Sequence, residues 1–196
     1  MTGGNENSHA AEPFGLADAA DATAEEERLP ELARLSVETL VREGRVLEVP
    51  GVSGDSLLGQ RAACFVSIKT EEGDLRGCIG TIEPVRDTLA EELIHNAISA
   101  ATRDPRFFPV EVSELPRLRY SVDVLSTPEP ARFEELNPKI YGLIVEDARG
   151  RRGLLLPDLE GVESAEQQLQ IAARKAGISP RADAKLYRFQ VHRYGE

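Results

Sequence analysis

The chain of 196 residues has no tryptophan, one methionine, two cysteines and an aromatic content of only 5%. Its core must therefore consist mainly of aliphatic side chains. Cys64 and Cys78 cannot form the disulfide framework of a small secreted protein, and they indicate free thiols in a reducing compartment. No apolar run approaches the roughly 20 residues of a membrane helix, and the N-terminus has no basic and apolar signal pattern. We therefore expect a cytoplasmic protein that does not contact a membrane.

An excess of basic residues is also lacking. The formal net charge is −11, and the first 27 residues contain seven acids with no Lys or Arg. The remainder has 27 acids against 23 bases. Because Lys and Arg drive the binding of phosphate backbones, this balance predicts no interaction with nucleic acid.

The chain divides by composition into a tail and one domain. Residues 1–28 are rich in Ala, Gly, Asp and Glu and have no apolar stripe, so they cannot bury enough surface to offset the entropy of ordering. They are predicted to be a disordered acidic tail. Residues 29–196 are long enough for one sizeable core and are predicted to form a single domain.

The local pattern of residues 29–196 mixes helices with hairpins, which indicates the α+β class rather than a regular parallel sheet. Ser164 and Gln167 have the spacing of a capping box at a helix start. The predicted elements are, in chain order, a helix from Pro30, a hairpin of strands 63–69 and 75–80, a helix opening at Pro84 and Asp87 and ending by Asp104, a strand over 118–124, a hairpin of strands 142–146 and 151–156, a helix over 164–177 and a final strand over 187–191.

The most unusual segment is Leu75-Arg76-Gly77-Cys78-Ile79-Gly80-Thr81, in which two glycines bracket a cysteine inside a predicted strand. Glycine weakens a strand unless backbone or ligand approaches closely. The two-residue period places Arg76 and Cys78 on one face, where a guanidinium beside a thiol favours the thiolate. The pair is a candidate nucleophile or anion site. The structural alternative is that Cys78 is a small buried residue and Arg76 a surface residue.

Other chemical motifs are sparse. His9, His95 and His192 are far apart in the sequence, so a dyad of Cys78 with a histidine stays open. The chain has no zinc-ligand spacing, no three-cysteine cluster for an iron–sulfur centre, no P-loop and no GxGxxG segment. We therefore predict neither a metal nor a cofactor.

Residues 75–81 resemble the signature of the AMMECR domain family. Residues 103–107, followed by Pro109 and Glu114-Leu115, are similar to its second block. Later similar blocks are residues 121–126, 153–157 and 175–178, and the resemblance spans residues 30–196. The chain departs from the family in lacking a Trp near residues 184–186 and in having Cys64 where Gly or Ala is more usual.

The resemblance implies an α+β domain of two unequal lobes, with the signature at a cleft between them. It adds Asp104 and Arg106 to the candidate substrate-binding residues, although this pair is also explained as an ion pair that shapes a turn at a helix end. Bacterial members are named component A of the AmmeMemoRadiSam system. The resemblance therefore also implies two partners, a Memo-like protein and a radical S-adenosylmethionine protein.

Two hypotheses about function remain. In the first, the protein is an enzyme or enzyme subunit in which Cys78 is the nucleophile and Arg76 favours the thiolate or binds an anionic substrate. Gly77, Gly80 and Thr81 then admit and contact the substrate. In the second, the protein is a non-catalytic binding or scaffold protein that presents the same cleft to partner proteins.

Overall fold

The structure is a computed structural model that describes residues 19–49, 51–54, 56–179 and 183–195, with side chains from Arg28 onward. Its helices and strands are α1 (Ala19–Glu43), β1 (Cys64–Thr70), β2 (Leu75–Gly80), α2 (Leu89–Thr102), β3 (Leu118–Leu125), β4 (Glu129–Pro130), β5 (Gly142–Asp147), β6 (Arg152–Leu155), α3 (Ala165–Lys175), β7 (Ala184–Phe189) and β8 (Val191–Tyr194). Short 3-10 turns cover Leu57–Gly59, Leu115–Arg117 and Phe133–Glu135. Within these described residues, no helix has the length and apolar character needed to cross a bilayer.

The larger lobe is a four-stranded antiparallel sheet in the order β2-β1-β3-β8 with α1 and α2 packed on one face. Alternation along β1 turns Cys64, Val66 and Ile68 toward these helices, where they are completely buried. We call this the inner face of the large sheet. Phe65 and Ser67 lie on the opposite face, which we call the outer face.

The smaller lobe is a second antiparallel sheet, in the order β4-β7-β5-β6, with α3 packed on β5 and β6. The predicted capping box at the start of α3 is confirmed, because the Ser164 side chain accepts from the Gln167 N–H and the Gln167 side chain accepts from the Ser164 N–H. Leu143, Val145 and Ala172 belong to the separate core between sheet and helix.

The two lobes share a third apolar cluster. Ala63 and Leu125 from the large lobe pack with Ile144, Leu154 and Phe189 from the small lobe. The chain passes from β3 to β4 and returns from β7 to β8 through a single residue, Gln190. The predicted α+β class with two unequal lobes is thus confirmed.

Three features differ from the sequence prediction. Helix α1 begins at Ala19 rather than at Pro30, which lies inside it, because the Ala- and Glu-rich residues before the proline also favour helix. The predicted final strand is two strands, β7 and β8, which belong to different sheets. The short strand β4 was not predicted. Residues 1–18 of the predicted tail lie outside the described residues.

Candidate functional site

The signature segment forms β2, an edge strand of the large sheet. In the antiparallel register with β1, Cys78 is opposite Ser67 and Gly77 is opposite Ile68. Opposite residues share a face, so Cys78 and Ser67 lie on the outer face while Gly77 lies on the inner face against α2. Arg76 has no partner in this register, because the pairing shifts from Ile68–Gly77 to Lys69–Leu75. This irregularity interrupts the two-residue period, so the predicted shared face of Arg76 and Cys78 stays a prediction.

Protein atoms fill the space beside both glycines of the signature. A Cβ added at Gly77 would lie 2.3 Å from the Ala100 carbonyl oxygen of α2. A Cβ added at Gly80 would lie 2.2 Å from the Cγ atom of the Phe65 ring and 2.6 Å from the Cys64 carbonyl oxygen. The structure therefore gives both glycines a packing role, in which they bring β2 close to α2 and to β1.

Cys78 makes polar contacts through its backbone and its sulfur. Its N–H donates to Asp104 Oδ2 at 2.9 Å, and its carbonyl oxygen accepts from Arg106 Nη2 at 3.4 Å. The Ser67 hydroxyl donates to Cys78 Sγ at 3.3 Å. Cys78 is half-buried, whereas Cys64 is completely buried and its pKa is raised to about 12 by that burial. Cys78 is therefore the accessible thiol of the two.

The Arg76 guanidinium binds a carboxylate instead of the thiol. Its Nε and Nη2 donate to the two Glu114 carboxylate oxygens at 2.7 and 3.0 Å, and Nη2 also donates to the Pro109 carbonyl oxygen at 3.4 Å. These hydrogen bonds hold the pKa of Glu114 below its ordinary value. The Arg76 guanidinium carbon also lies 5.8 Å from the centroid of the Phe107 ring. Arg76 thus fastens the segment around residues 107–114 to β2.

Asp104 is the buried anchor of the second block. Its side chain is 2% exposed and accepts from Arg106 Nε at 2.9 Å and from Arg106 Nη2 at 2.6 Å. The hydrogen bonds from Arg106, followed by those from the N–H groups of Cys78 and Arg106, hold the pKa of Asp104 well below its ordinary value against the opposing effect of burial. The Arg106 side chain is 53% exposed. A buried carboxylate therefore orients an exposed guanidinium beside the Cys78 backbone.

A second pair of the same kind lies on the outer face and was not identified from the sequence. Asp123 is opposite Arg193 in the β3–β8 register, and Arg193 Nε and Nη2 donate to its carboxylate at 2.6 and 2.8 Å. The Asp123 side chain is 4% exposed and that of Arg193 is 60% exposed. The pKa of Arg193 is raised chiefly by its hydrogen bond to Asp123. Strands β1 and β3 lie between β8, which carries Arg193, and β2, which carries Cys78. In the sequence Asp123 lies between Val122 and Val124, a pattern typical of a strand residue that faces solvent. The sequence therefore does not indicate that Asp123 is buried or that it pairs with Arg193.

Thr81, the last residue of the signature, belongs to a structural network. Its hydroxyl donates to Glu92 Oε1 at 2.6 Å. Glu92 Oε2 accepts from the N–H groups of Val85 and Arg86, both at 2.9 Å, and Glu92 itself is 1% exposed. This buried carboxylate, which was not identified from the sequence, holds the loop between β2 and α2 in place.

No Cys–His dyad forms between Cys78 and either described histidine. His192 is opposite Val124, whose side chain lies on the inner face, and His95 is exposed on α2. His9 lies outside the described residues. Within the part of the chain that the structure describes, no group of three or more His, Cys, Asp or Glu side chains is placed to hold a metal ion.

Comparisons with known proteins agree on one family. The AMMECR1 family model matches residues 30–194. A Thermotoga maritima protein is 50% identical over 161 residues, which cover 81% of this chain and 91% of that protein. A Clostridium acetobutylicum protein is 48% identical over 166 residues, which are 84% of this chain but only 35% of that longer protein. The crystal structure of an uncharacterized Pyrococcus horikoshii protein superimposes with a TM-score of 0.76 at 32% identity and covers 86% of this chain and 89% of that one.

Proposed function

This chain belongs to the AMMECR1 family, and we propose that it acts through a small-molecule site on the outer face, where Cys78 is the group that contacts or attacks an anionic ligand. The observation that carries the proposal is an accessible thiol with two exposed guanidiniums around it, each oriented by a buried carboxylate. Arg106 donates to the Cys78 carbonyl oxygen, and Arg193 lies on the same sheet face as Cys78. The site combines a thiol, which can act as a nucleophile, with guanidinium groups, which bind carboxylate or phosphate.

The orientation of the two guanidiniums favours ligand binding for an entropic reason. A free arginine side chain loses considerable rotamer freedom when it binds an anion. Asp104 and Asp123 already hold Arg106 and Arg193 in place through two hydrogen bonds each, while more than half of each arginine side chain faces solvent. A bound anion would therefore contact donors that are ordered before it arrives. Arg76 was the predicted anion-binding residue, but its guanidinium forms an ion pair with Glu114. In this proposal Arg76 holds the segment near the site in place and does not contact the ligand.

The test compares the alkylation of Cys78 by iodoacetate, an anion, with its alkylation by neutral iodoacetamide, followed by peptide mass spectrometry. If the guanidiniums bind anions beside the sulfur, the rate ratio of iodoacetate to iodoacetamide exceeds that of N-acetylcysteine. The ratio should fall in Arg106→Gln and in Arg193→Gln, and it should also fall at high salt. Arg34→Gln is the control, because Arg34 is an exposed arginine that pairs with Glu31 and Glu38 on α1, which packs on the opposite, inner face of the sheet.

The proposal fails if the ratio for the native protein equals that of N-acetylcysteine, or if the control lowers the ratio as much as the two site variants do. Thermal melts of all three variants are needed, since Arg106→Gln leaves the buried Asp104 without its main partner. A ratio that falls while the melting temperature is unchanged assigns the effect to anion binding.

A scaffold role is the second candidate function, and an exposed aromatic residue favours it. Phe108 is 90% exposed and lies two residues after Arg106, beside the candidate site. In the Clostridium relative the matched region is about a third of a longer protein, an arrangement in which this domain works next to further sequence. By resemblance to component A of the AmmeMemoRadiSam system, the partners are a Memo-like protein and a radical S-adenosylmethionine protein.

Co-purification tests this second function. The chain is co-expressed with a Memo-like protein and with a radical S-adenosylmethionine protein, and complexes are detected by size-exclusion chromatography. Phe108→Asp should abolish a complex, whereas Val85→Asp, a control at another exposed apolar residue of 69% exposure, should not. Complexes that form equally with the native chain and with both variants would exclude Phe108 from the interface. If the native chain forms no complex, the scaffold function fails. Both functions are compatible with a reducing cytoplasm, since Cys64 and Cys78 point to opposite faces of the sheet and are free thiols.

A further inference from the structure

A cavity of about 480 Å³ lies between the two lobes, and no residue of the signature lines it. Its walls come from the beginning of β1, the segment after β2, the end of β3 and the small lobe. The volume is within the range of small-molecule sites, which is roughly 300 to 1,000 Å³. The side chains that decide its chemistry are Arg61, Ile82, Glu83, Leu125, Arg152 and Tyr187.

The positive charge of Arg61 is available at this cavity. Its Nε and Nη2 donate to the carbonyl oxygens of Arg86 and Pro84 at 3.3 and 2.8 Å, which orient the guanidinium without neutralising it. Within the described residues, Arg61 forms no ion pair with a carboxylate. Glu83 and Arg152, the other two charged residues of the wall, form an ion pair with each other across the two lobes. Among the residues that the structure describes, the wall therefore has one cation without a carboxylate partner, in a protein of net charge −11.

The remaining wall suits a flat apolar group. The Arg152 guanidinium carbon lies 5.7 Å from the centroid of the Tyr187 ring, so the ring is held in a fixed orientation. Ile82, Leu125 and Pro128 add apolar surface. Aromatic and aliphatic walls with a few polar groups are typical of sites for planar organic ligands.

We propose that this interlobe pocket is a second ligand site, independent of Cys78, which binds a planar organic anion with its acidic group on Arg61. A ligand there contacts both lobes beside the two crossing segments of the chain. These segments are bonded to each other, because the Ser126 N–H donates to the Gln190 carbonyl oxygen at 3.0 Å and the Gln190 N–H donates to Ser126 Oγ at 2.9 Å. Binding therefore stabilises the lobe arrangement and raises the melting temperature.

The probe is 1-anilinonaphthalene-8-sulfonate, an aromatic sulfonate with a planar naphthalene ring whose fluorescence rises in apolar surroundings. We expect one saturable site per chain and a melting temperature that rises with probe concentration. Arg61→Gln removes the charge but keeps an amide donor for the loop carbonyls, and it should weaken binding about tenfold, the usual scale for one charge-assisted hydrogen bond. Arg61→Lys keeps the charge and should retain most of the affinity.

Two controls separate this site from other binding. Arg117→Gln changes an exposed arginine just before the opposite end of β3, about 26 Å along the chain from Leu125, and should leave affinity unchanged. Arg106→Gln changes the Cys78 site and should also leave it unchanged. Several weak sites, equal affinity in native protein and Arg61→Gln, or an equal loss in Arg117→Gln would overturn the proposal. A loss only in Arg106→Gln would assign the probe to the Cys78 site instead.

Discussion

The contact between Gly77 and α2 permits a quantitative prediction about stability. In Gly77→Ala the new methyl carbon would lie 2.3 Å from the Ala100 carbonyl oxygen, whereas ordinary contact begins at 3.4 Å. The obstacle is helix backbone, which cannot rotate away as a side chain can. Strand β2 and helix α2 must therefore separate by about 1 Å along a closely packed interface.

The expected cost follows from overpacking. Inserting a methyl group into a tightly packed interface costs about 1–3 kcal/mol, and the smaller backbone entropy of the unfolded alanine chain returns about 0.4–1 kcal/mol. The two contributions leave an expected loss of about 1–2 kcal/mol for Gly77→Ala, and Gly77→Val should lose more. Cys78→Ser should lose less than about 1 kcal/mol, because Cys78 is half-buried and its sulfur already faces a hydroxyl.

Urea unfolding followed by circular dichroism measures these differences. The matched control is Gly51→Ala, because no atom of the described residues lies within 4 Å of a Cβ added there. On the thermal scale a loss of 2 kcal/mol is about 4–8 °C for a chain of this size. If Gly77→Ala and Gly51→Ala differ by less than about 0.5 kcal/mol, the close approach is not a constraint on this fold. Gly153 offers an independent repeat, since its added Cβ would lie 2.0 Å from the Ala172 carbonyl oxygen of α3.

Three further outcomes are expected. The pKa of Asp104 is depressed in the folded protein, so its carboxylate contributes stability above its unfolded pKa of about 3.9, and this contribution is lost as the pH falls below that value. Asp104→Asn should therefore reduce the dependence of stability on pH in the acid range. An unchanged acid dependence contradicts this. Iodoacetamide should label Cys78 before the buried Cys64 in the folded protein, and equal rates would show that Cys64 is accessible. Removal of residues 1–27 should lower the melting temperature by no more than a few degrees, because the buried side chains described in α1 begin at Leu29; a larger fall would show that this segment packs on the domain.

Local features of the fold could be predicted because they depend on neighbours in sequence. The capping box of α3 needs only Ser164 and Gln167, which are three residues apart. The β1–β2 hairpin needs two strands and a short turn, and both strands were predicted within a residue of their bounds. The final strand could not be divided correctly, because residues 184–194 alternate without a turn signal and Gln190 alone separates two sheets.

The sequence predicted the strand that carries Cys78, but it did not predict the side-chain contacts of the site. The two-residue period predicts Arg76 and Cys78 on one face, but it does not anticipate the register shift that leaves Arg76 unpaired, nor does it show which group each side chain contacts. Arg76 pairs with Glu114, 38 positions away, and the Cys78 N–H pairs with Asp104, 26 positions away. A bidentate carboxylate is a stronger partner for a guanidinium than a thiol two residues along the strand.

The longest of these separations links the proposed site to the whole domain. Arg193 is 70 positions from Asp123, and the complete small lobe lies between them in sequence. Strand β8 can pair with β3 only after the chain has returned from the small sheet through Gln190. One of the two guanidiniums of the proposed anion site therefore lies on β8, the last strand of the described residues. The proposed Cys78 site therefore needs β2, β3 and β8 in one sheet, although the strands of the small lobe separate β3 from β8 in sequence.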